Sequence, residues 1–524
     1  MLIKESIFLS KLPRLLLVFI IILAFSSALF LKNWNKPITI SPKGSFFSEP
    51  VTIKLRSYFL GTIHYTLDGS IPTANSPVFD KSLIIEKSSL LRMAVFIGKA
   101  KITNEQNHDF YINSNHSMPI VSLSLKSNEV TDAYGNFLSS KDKHLLGQVR
   151  YYENNQELAF EHGVRIDLHG ESLNAAPQKS FRLTMVDENG NKQGASYPFF
   201  GQEPPTYFTS LILRNDEAKY THLREQVANQ IVSEATDLDI QRGKPVVLYI
   251  NGQYWGLYFL RERFDETYFA QKYSLKSDAL GLVEILLGGE TKGSMAPIGK
   301  KSESDAKKLN KLLQEVARCV KCVPYSVADE IVDMDNLNDY LLLELYFANF
   351  DWPYNNYKVW RYQSEQLYLP ESEFIQQLDG RFRWLFFDSD VSFGAGWTTE
   401  AKMIDAARGN PYAQLIDNAF PFRNIFYSPT FISRYISKME DLLINQLDPE
   451  NTDKIVDYWA EQIRPEMPAE IERWKEYNSK DRAFAIESME EWENQVDLLK
   501  VYLRERPEFF KDHTQEFFDK AEEI

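Results

Sequence analysis

The chain has 524 residues, more than one compact core holds, so two or three structural units are expected once any targeting segment is set aside. Its 44% hydrophobic and 25% charged residues are those of a folded globular protein. A formal net charge of -15 excludes broad nucleic-acid binding, which needs Lys and Arg against phosphates, while leaving room for a local basic pocket.

At the N-terminus, Lys4, Lys11 and Arg14 lead into an uncharged apolar run from Leu15 to Leu31. That run is near the lower limit for crossing a bilayer and longer than a typical signal-peptide core. The expectation is a signal anchor: residues 1–36 as cytoplasmic tip and transmembrane helix, with 12–31 in the lipid bilayer. Positive charges before the run place the bulk of the chain outside the cytoplasm, periplasmic or at the cell surface. "SSA" at 26–28 keeps a cleaved signal as the alternative.

From 37 to 113, short alternating stretches such as "EPVTIKLRS" and "SLLRMAVFIG", broken by Gly, Pro, Asp and Ser, predict a small antiparallel β-sandwich of Ig-like type. "YTLDGSIPT" within it resembles the C-terminal module found beside chitobiase and hexosaminidase catalytic domains. That resemblance implies a spacer or a weak carbohydrate contact through the sandwich, not a catalyst.

The second unit, 114–524, mixes strands and helices. Residues 222–235 have helical spacing with Thr221 as N-cap, and "NG" at Asn251 and Gly252 divides two aromatic-rich runs as a hairpin. Residues 288–304 read as an insertion, and helix dominates the C-terminal part from about 305, with Trp459, Trp474 and Trp492 as core residues. The two cysteines, Cys319 and Cys322, read most simply as a local disulfide, with a redox pair as a further option. The overall class is therefore α+β.

This order of strands, helix, hairpin, helix and polar loop is that of a protein-kinase core. Phosphoryl transfer needs cations at the phosphates, carboxylates and amides for a metal, and a base for the acceptor hydroxyl. Lys179 follows a Gly/Ser/Asn-containing turn that includes Ser172. Asp351 and Asn356, after the apolar "YLLLELYFANF", have the D-x-x-x-x-N spacing of a kinase catalytic loop. "WLFFDSD" ends a strand in Asp388 and Asp390, two residues apart and so on one side, where they can address one divalent cation.

Five blocks, "HGVRIDLHGESLNAAPQKSFRL", "LILRNDEAKYTHLREQVANQI", "VVLYINGQYWGLYFLRERFD", "NFDWPYNNYKVWRY" and "WLFFDSDVSFG", resemble the spore-coat-protein-H (CotH) kinase family in the family's order. The resemblance implies an exported, atypical protein kinase using ATP and Mg²⁺ or Mn²⁺ to phosphorylate Ser or Thr of a protein, on a cell surface or spore-coat-like layer or on the chain itself. By position, Lys179 becomes the phosphate-binding and catalytic lysine and Asp351 the base. Asn356, Asp388 and Asp390 become metal ligands. Ser172, Glu225 on the helix beside Arg224, and Glu262 after the hairpin complete the nucleotide site, with Glu234 an alternative to Glu225. Leu173, where the family often has arginine, and the extra stretch between Asp351 and Asp388 depart from its pattern. The rival expectations are a kinase-like surface protein without catalysis and a carbohydrate-active hydrolase.

Overall fold

Alternation along Val51–Ser57 buries Ile53 and Leu55 and exposes Thr52, Lys54 and Arg56, the pattern of a strand with one dry face. The computed structural model describes residues 36–125, 144–170, 178–215, 221–286, 294–297, 302–318, 325–353, 356–363, 378–416, 423–478 and 486–522. Val51–Ser57 lies between Ile38–Ser41 and Leu83–Ile85 in a three-stranded sheet. A second sheet, built on Ser89–Ile97 and Gln106–Ile112, shares a core of Ile53, Leu91 and Phe110 with it. This is the expected sandwich.

The chain then closes a seven-stranded barrel in the order Leu145–Tyr152, Leu158–Leu168, Phe181–Val186, Ser210–Arg214, Gln253–Arg261, Gly243–Ile250 and Ile120–Leu125. Closure leaves none of these strands as an open edge. The last two strands pair in parallel; the other contacts are antiparallel. Asn251 and Gly252 both take positive φ, 49° and 77°, as a two-residue hairpin turn of this kind requires.

That turn also docks the sandwich. A Cβ at Gly252 would stand 2.1 Å from the backbone nitrogen of Leu90, and one at Gly69, in the "LDG" turn of the sandwich, would meet the Asn251 side chain at 2.6 Å. Asn251 Oδ1 accepts from the backbone of Leu125 at 2.8 Å. Beside it, the buried Asp109 carboxylate accepts from Arg150 at 3.0 Å, Ser122 at 3.0 Å and Tyr152 at 3.1 Å. The sandwich is thus joined to the barrel by close backbone packing and a satisfied polar network.

Below the barrel, Arg383–Phe386 pairs antiparallel with Tyr357–Tyr362, and with Asp239–Ile240 in parallel. Helix Met334–Phe347 is buried nearly all round and is capped by Asp333, whose carboxylate accepts from the Asn336 backbone at 3.2 Å. Its C-terminus is closed by Arg506 of helix Met489–Glu522. The fully buried guanidinium donates to the carbonyls of Leu345 and Tyr346 at 2.8 and 2.9 Å, and to those of Ala407 and Gly409. Carbonyls at a helix end have no intrahelical partner, so a buried end needs such donors. Trp474 and Trp492 are core residues as expected, whereas Trp459 is only partly buried.

Two expectations change. Helix Arg224–Ala235 starts two residues later than its spacing suggests, with Leu223 at the cap position and no side-chain bond there. Thr221, two residues before that cap position, instead accepts through Oγ1 from the Leu223 backbone at 3.2 Å. The fold class also needs correction, to a mixed α/β structure organised round the closed barrel and its helices. Among the described residues no helix is long and apolar enough to cross a membrane; the transmembrane helix expected over 12–31 falls on residues outside the described ones. Cys319 and Cys322 also lie outside them.

Replacing Gly252 with alanine forces a side chain into the sandwich contact and an L-residue into a left-handed turn. Gly252→Ala is expected to lower stability by at least ~2 kcal/mol in urea denaturation. A loss under ~0.5 kcal/mol would show that the turn does not hold the two units together.

Candidate functional site

Four segments meet below the barrel mouth. Strand Ser210–Arg214 ends in Arg214, helix Arg224–Ala235 begins with Arg224 and Glu225, strand Gln253–Arg261 ends in Arg261, and strand Arg383–Phe386 runs on to Asp388 and Asp390. Each apolar strand puts its charged residue at the end, where the barrel core stops. A charge at that depth requires a partner.

The partners are one another. Arg214 Nη2 donates to Asp388 Oδ1 at 2.6 Å and to Asp390 Oδ2 at 3.0 Å. The Asp388 backbone N–H donates to Glu225 Oε1 at 3.2 Å, and Glu225 Oε2 lies 2.7 Å from Arg261 Nη1. Asn356 Nδ2 donates to the Asp388 carbonyl at 3.4 Å. Arg224 Nη1 donates to the carbonyls of Phe393 at 3.0 Å and Ser392 at 3.4 Å, fixing the segment after the carboxylates. Asn356, Asp388 and Phe393 have φ of 66°, 60° and 55°, a left-handed conformation that L-residues adopt at a cost. Such strain is held only where surrounding contacts over-determine it, commonly at functional sites.

Burial by itself would raise the Asp388 carboxyl. The Arg214 guanidinium beside it, with His169, Lys358 and Arg261 farther out, holds it below the usual carboxylate value. Asp390 goes the other way: burial and the negative charges of Asp388 and Glu225 raise it in spite of Arg214. Burial, with Arg214 nearby, pushes His169 down to about 3, so its imidazole is neutral at physiological pH.

The structure therefore brings Glu225, Asn356, Asp388 and Asp390 together. Asp351 stands half-buried five residues before Asn356 on the same loop, its backbone N–H bonded to Asn349 Oδ1 at 3.3 Å. Lys179 is buried just ahead of strand Phe181–Val186, and its carbonyl accepts from the Tyr258 hydroxyl at 2.8 Å. Glu262 is fully buried, its carboxylate taken up by the Arg242 guanidinium at 2.5 Å and backbone N–H at 3.0 Å. Ser172 lies outside the described residues.

Three participants were missed. Arg214 and Arg261 stand at the ends of "LILR" and "YFLR", where an apolar strand closing on an arginine signals a buried counter-charge. Glu344, on helix Met334–Phe347, is 1% exposed; Oε2 accepts from Asn349 Nδ2 at 3.2 Å while Oε1 has no hydrogen-bond partner. Burial pushes this carboxyl up to about 8, aided by the Asp388 charge and opposed by Asn349 and Tyr340. Glu344 thus underlies the loop through Asn349, which in turn holds the backbone of Asp351.

Among the described residues no three acidic, imidazole or thiol side chains form a cage that would hold a metal by themselves. Asp388, Asp390 and Asn356 offer two carboxylates and one amide. That is a sparse oxygen set of the kind Mg²⁺ takes when phosphate oxygens and water complete its shell. The residues fit such an ion.

Comparison with known families gives two matches: the CotH kinase protein family over residues 166–510, and the chitobiase/beta-hexosaminidase C-terminal domain over residues 42–104. No curated protein matches the chain.

Because the folded state raises the Glu344 value, its stability contribution is fully present below the ordinary glutamate value near 4.5 and is lost as pH rises through about 8. Glu344→Gln removes the titration. Thermal melts from pH 5 to 9 should show the wild type losing ground to this variant as pH rises; parallel curves would contradict the assignment.

Proposed function

The chain belongs to the CotH kinase protein family, and from that premise we propose that it transfers the γ-phosphoryl group of ATP to a serine or threonine hydroxyl of a protein. The observation that carries this is that the Asp388 and Asp390 carboxylates share one Arg214 nitrogen while Asn356 bonds the Asp388 carbonyl, with Glu225 and Arg261 extending the charged network.

Asp388, Asp390 and Asn356 would hold the divalent cation, which would supply positive charge to the ATP phosphates. Arg214 supplies the fixed positive charge that lets two carboxylates lie side by side at the end of an apolar strand. Glu225 and Arg224 hold the backbone of that turn on either side of Asp390. Lys179, at the start of its strand, pairs with phosphate oxygens. Asp351 accepts the hydrogen bond of the acceptor hydroxyl, orients its oxygen for in-line attack and takes its proton as the bond to phosphorus forms. Phe350, beside it, is 75% exposed and gives the acceptor chain an apolar contact.

A second reading, a kinase-like binding protein without transfer, is favoured by one observation: a single nitrogen of Arg214 already bridges both metal-binding carboxylates. The two differ in an assay. Purified protein with γ-labelled ATP and Mn²⁺ or Mg²⁺ is expected to label itself or an added protein acceptor, and Asp351→Asn and Asp388→Asn are each expected to lower labelling by about 100-fold or more. Labelling that survives both changes would contradict the site assignment. Nucleotide-induced thermal stabilisation without labelling of any acceptor would select the second reading.

A further inference from the structure

Buried carboxylates elsewhere in this fold are each held by several donors. Asp109 accepts from Arg150, Ser122 and Tyr152, and Asp239 accepts from Lys272 at 2.6 Å, Tyr273 at 2.8 Å and Trp360 at 2.8 Å. Asp305 takes two nitrogens of Arg361 and one of Gln363. The side chains of all three acids are at most 4% exposed. They are closed, with no face left for a ligand.

Asp388 and Asp390 are bonded differently. Among the described residues the one donor to either carboxylate is Arg214 Nη2, which both share, at 2.6 Å from Asp388 Oδ1 and 3.0 Å from Asp390 Oδ2. An ionised carboxylate has room for about four hydrogen bonds, and a guanidinium binds one most strongly through two parallel N–H groups. Here a single nitrogen serves two carboxylates, so most of their acceptor capacity is left over, and the Asp388 side chain is 31% exposed. Within hydrogen-bonding distance, one positive charge faces two negative ones. The pair is lightly held and open on the Asp388 side.

We propose that Arg214 is an exchangeable counter-ion: it holds the two carboxylates until nucleotide binds, then yields them to the divalent cation and pairs with the phosphates instead. This rests on the reading of Asp388 and Asp390 as metal-binding groups. Arg214 Nη2 and a cation serving both acids contend for the same oxygens, and their like charges repel at that distance. Without nucleotide, displacing Arg214 separates a guanidinium whose side chain is 10% exposed from its two acids, which is costly beside an apolar core. Phosphate oxygens lower that cost, because they match guanidinium geometry as well as carboxylates do. Cation and nucleotide therefore bind cooperatively, and the bridge belongs to the resting state. The rival role, in which Arg214 stays in place and orients the carboxylates for the metal, makes the opposite prediction for its removal.

The test uses the full chain and needs no activity. Mn²⁺ binding is followed by electron paramagnetic resonance, with and without ADP, in wild type, Arg214→Lys and Arg214→Ala. Wild type and Arg214→Lys are expected to bind Mn²⁺ weakly alone and more tightly with ADP. Arg214→Ala is expected to bind Mn²⁺ without nucleotide about tenfold or more tightly than wild type, and to gain correspondingly less from ADP. It should also melt below wild type in a chelator and recover with Mn²⁺, which replaces the lost charge. Nucleotide-free affinity that is unchanged or weaker in Arg214→Ala would overturn the proposal, and if wild-type binding with ADP still depends on Asp388, the metal site itself stands. Absence of Asp388-dependent binding in wild type would overturn both. A wild-type measurement decides the matter if the alanine variant does not fold: the Arg214 Nε–H resonance should shift on adding Mg²⁺ with ADP and stay in place with Mg²⁺ alone. A resonance unmoved by Mg²⁺ with ADP would overturn the proposal.

Discussion

Two carboxylates at the end of a buried strand constrain everything around them. Asp388 and Asp390 lie next to an apolar core, where like charges can stay ionised together only if positive charge stands between them. Arg214 meets that demand from the neighbouring barrel, and it can do so because its own strand ends at the same depth. Removing one partner of a buried ion pair typically costs about 3–5 kcal/mol, since the other is left uncompensated. The barrel and the hairpin beneath it are therefore tied at the place where the chemistry is proposed.

The same logic extends outward. Glu225 accepts from the Asp388 backbone and is itself neutralised by Arg261, so the left-handed turn at Asp388 is fixed by a chain of charged groups, each satisfied by the next. Arg224 holds the carbonyls past the turn, and Arg506 closes the helix that delivers the loop with Asp351 and Asn356. Rigid elements thus place every group of the candidate site within the described residues, and strain at Asn356, Asp388 and Phe393 is stored where those elements overlap. Glu344 is an exception to the balance of charge: an acid with one unsatisfied oxygen beneath the loop, kept protonated by its surroundings near neutrality.

Much of this was legible in the sequence because it rests on local pattern. Alternation revealed the sandwich strands, "NG" the hairpin, and D-x-x-x-x-N with D-x-D the polar loop and the paired acids. What escaped depended on contacts between distant segments. Arg214 looks like any strand-terminal arginine until Asp388, 174 residues later, is placed against it. Thr221 has the right chemistry to cap a helix, but the turn at His222, with φ of 58°, moves the helix start beyond its reach. The seam between sandwich and barrel was invisible for the same reason, since Gly69 and Gly252 each look sufficient as isolated turns.

The central claim is that Asp388, Asp390 and Asn356 together hold a divalent cation with a nucleotide. Its most direct test is Mn²⁺ binding followed by electron paramagnetic resonance with and without ATP. One tightly bound Mn²⁺ per chain that appears only with ATP, and is lost in Asp388→Asn, is the result expected. Equal binding in wild type and in a variant lacking both carboxylates, or no nucleotide-dependent binding at all, would contradict it.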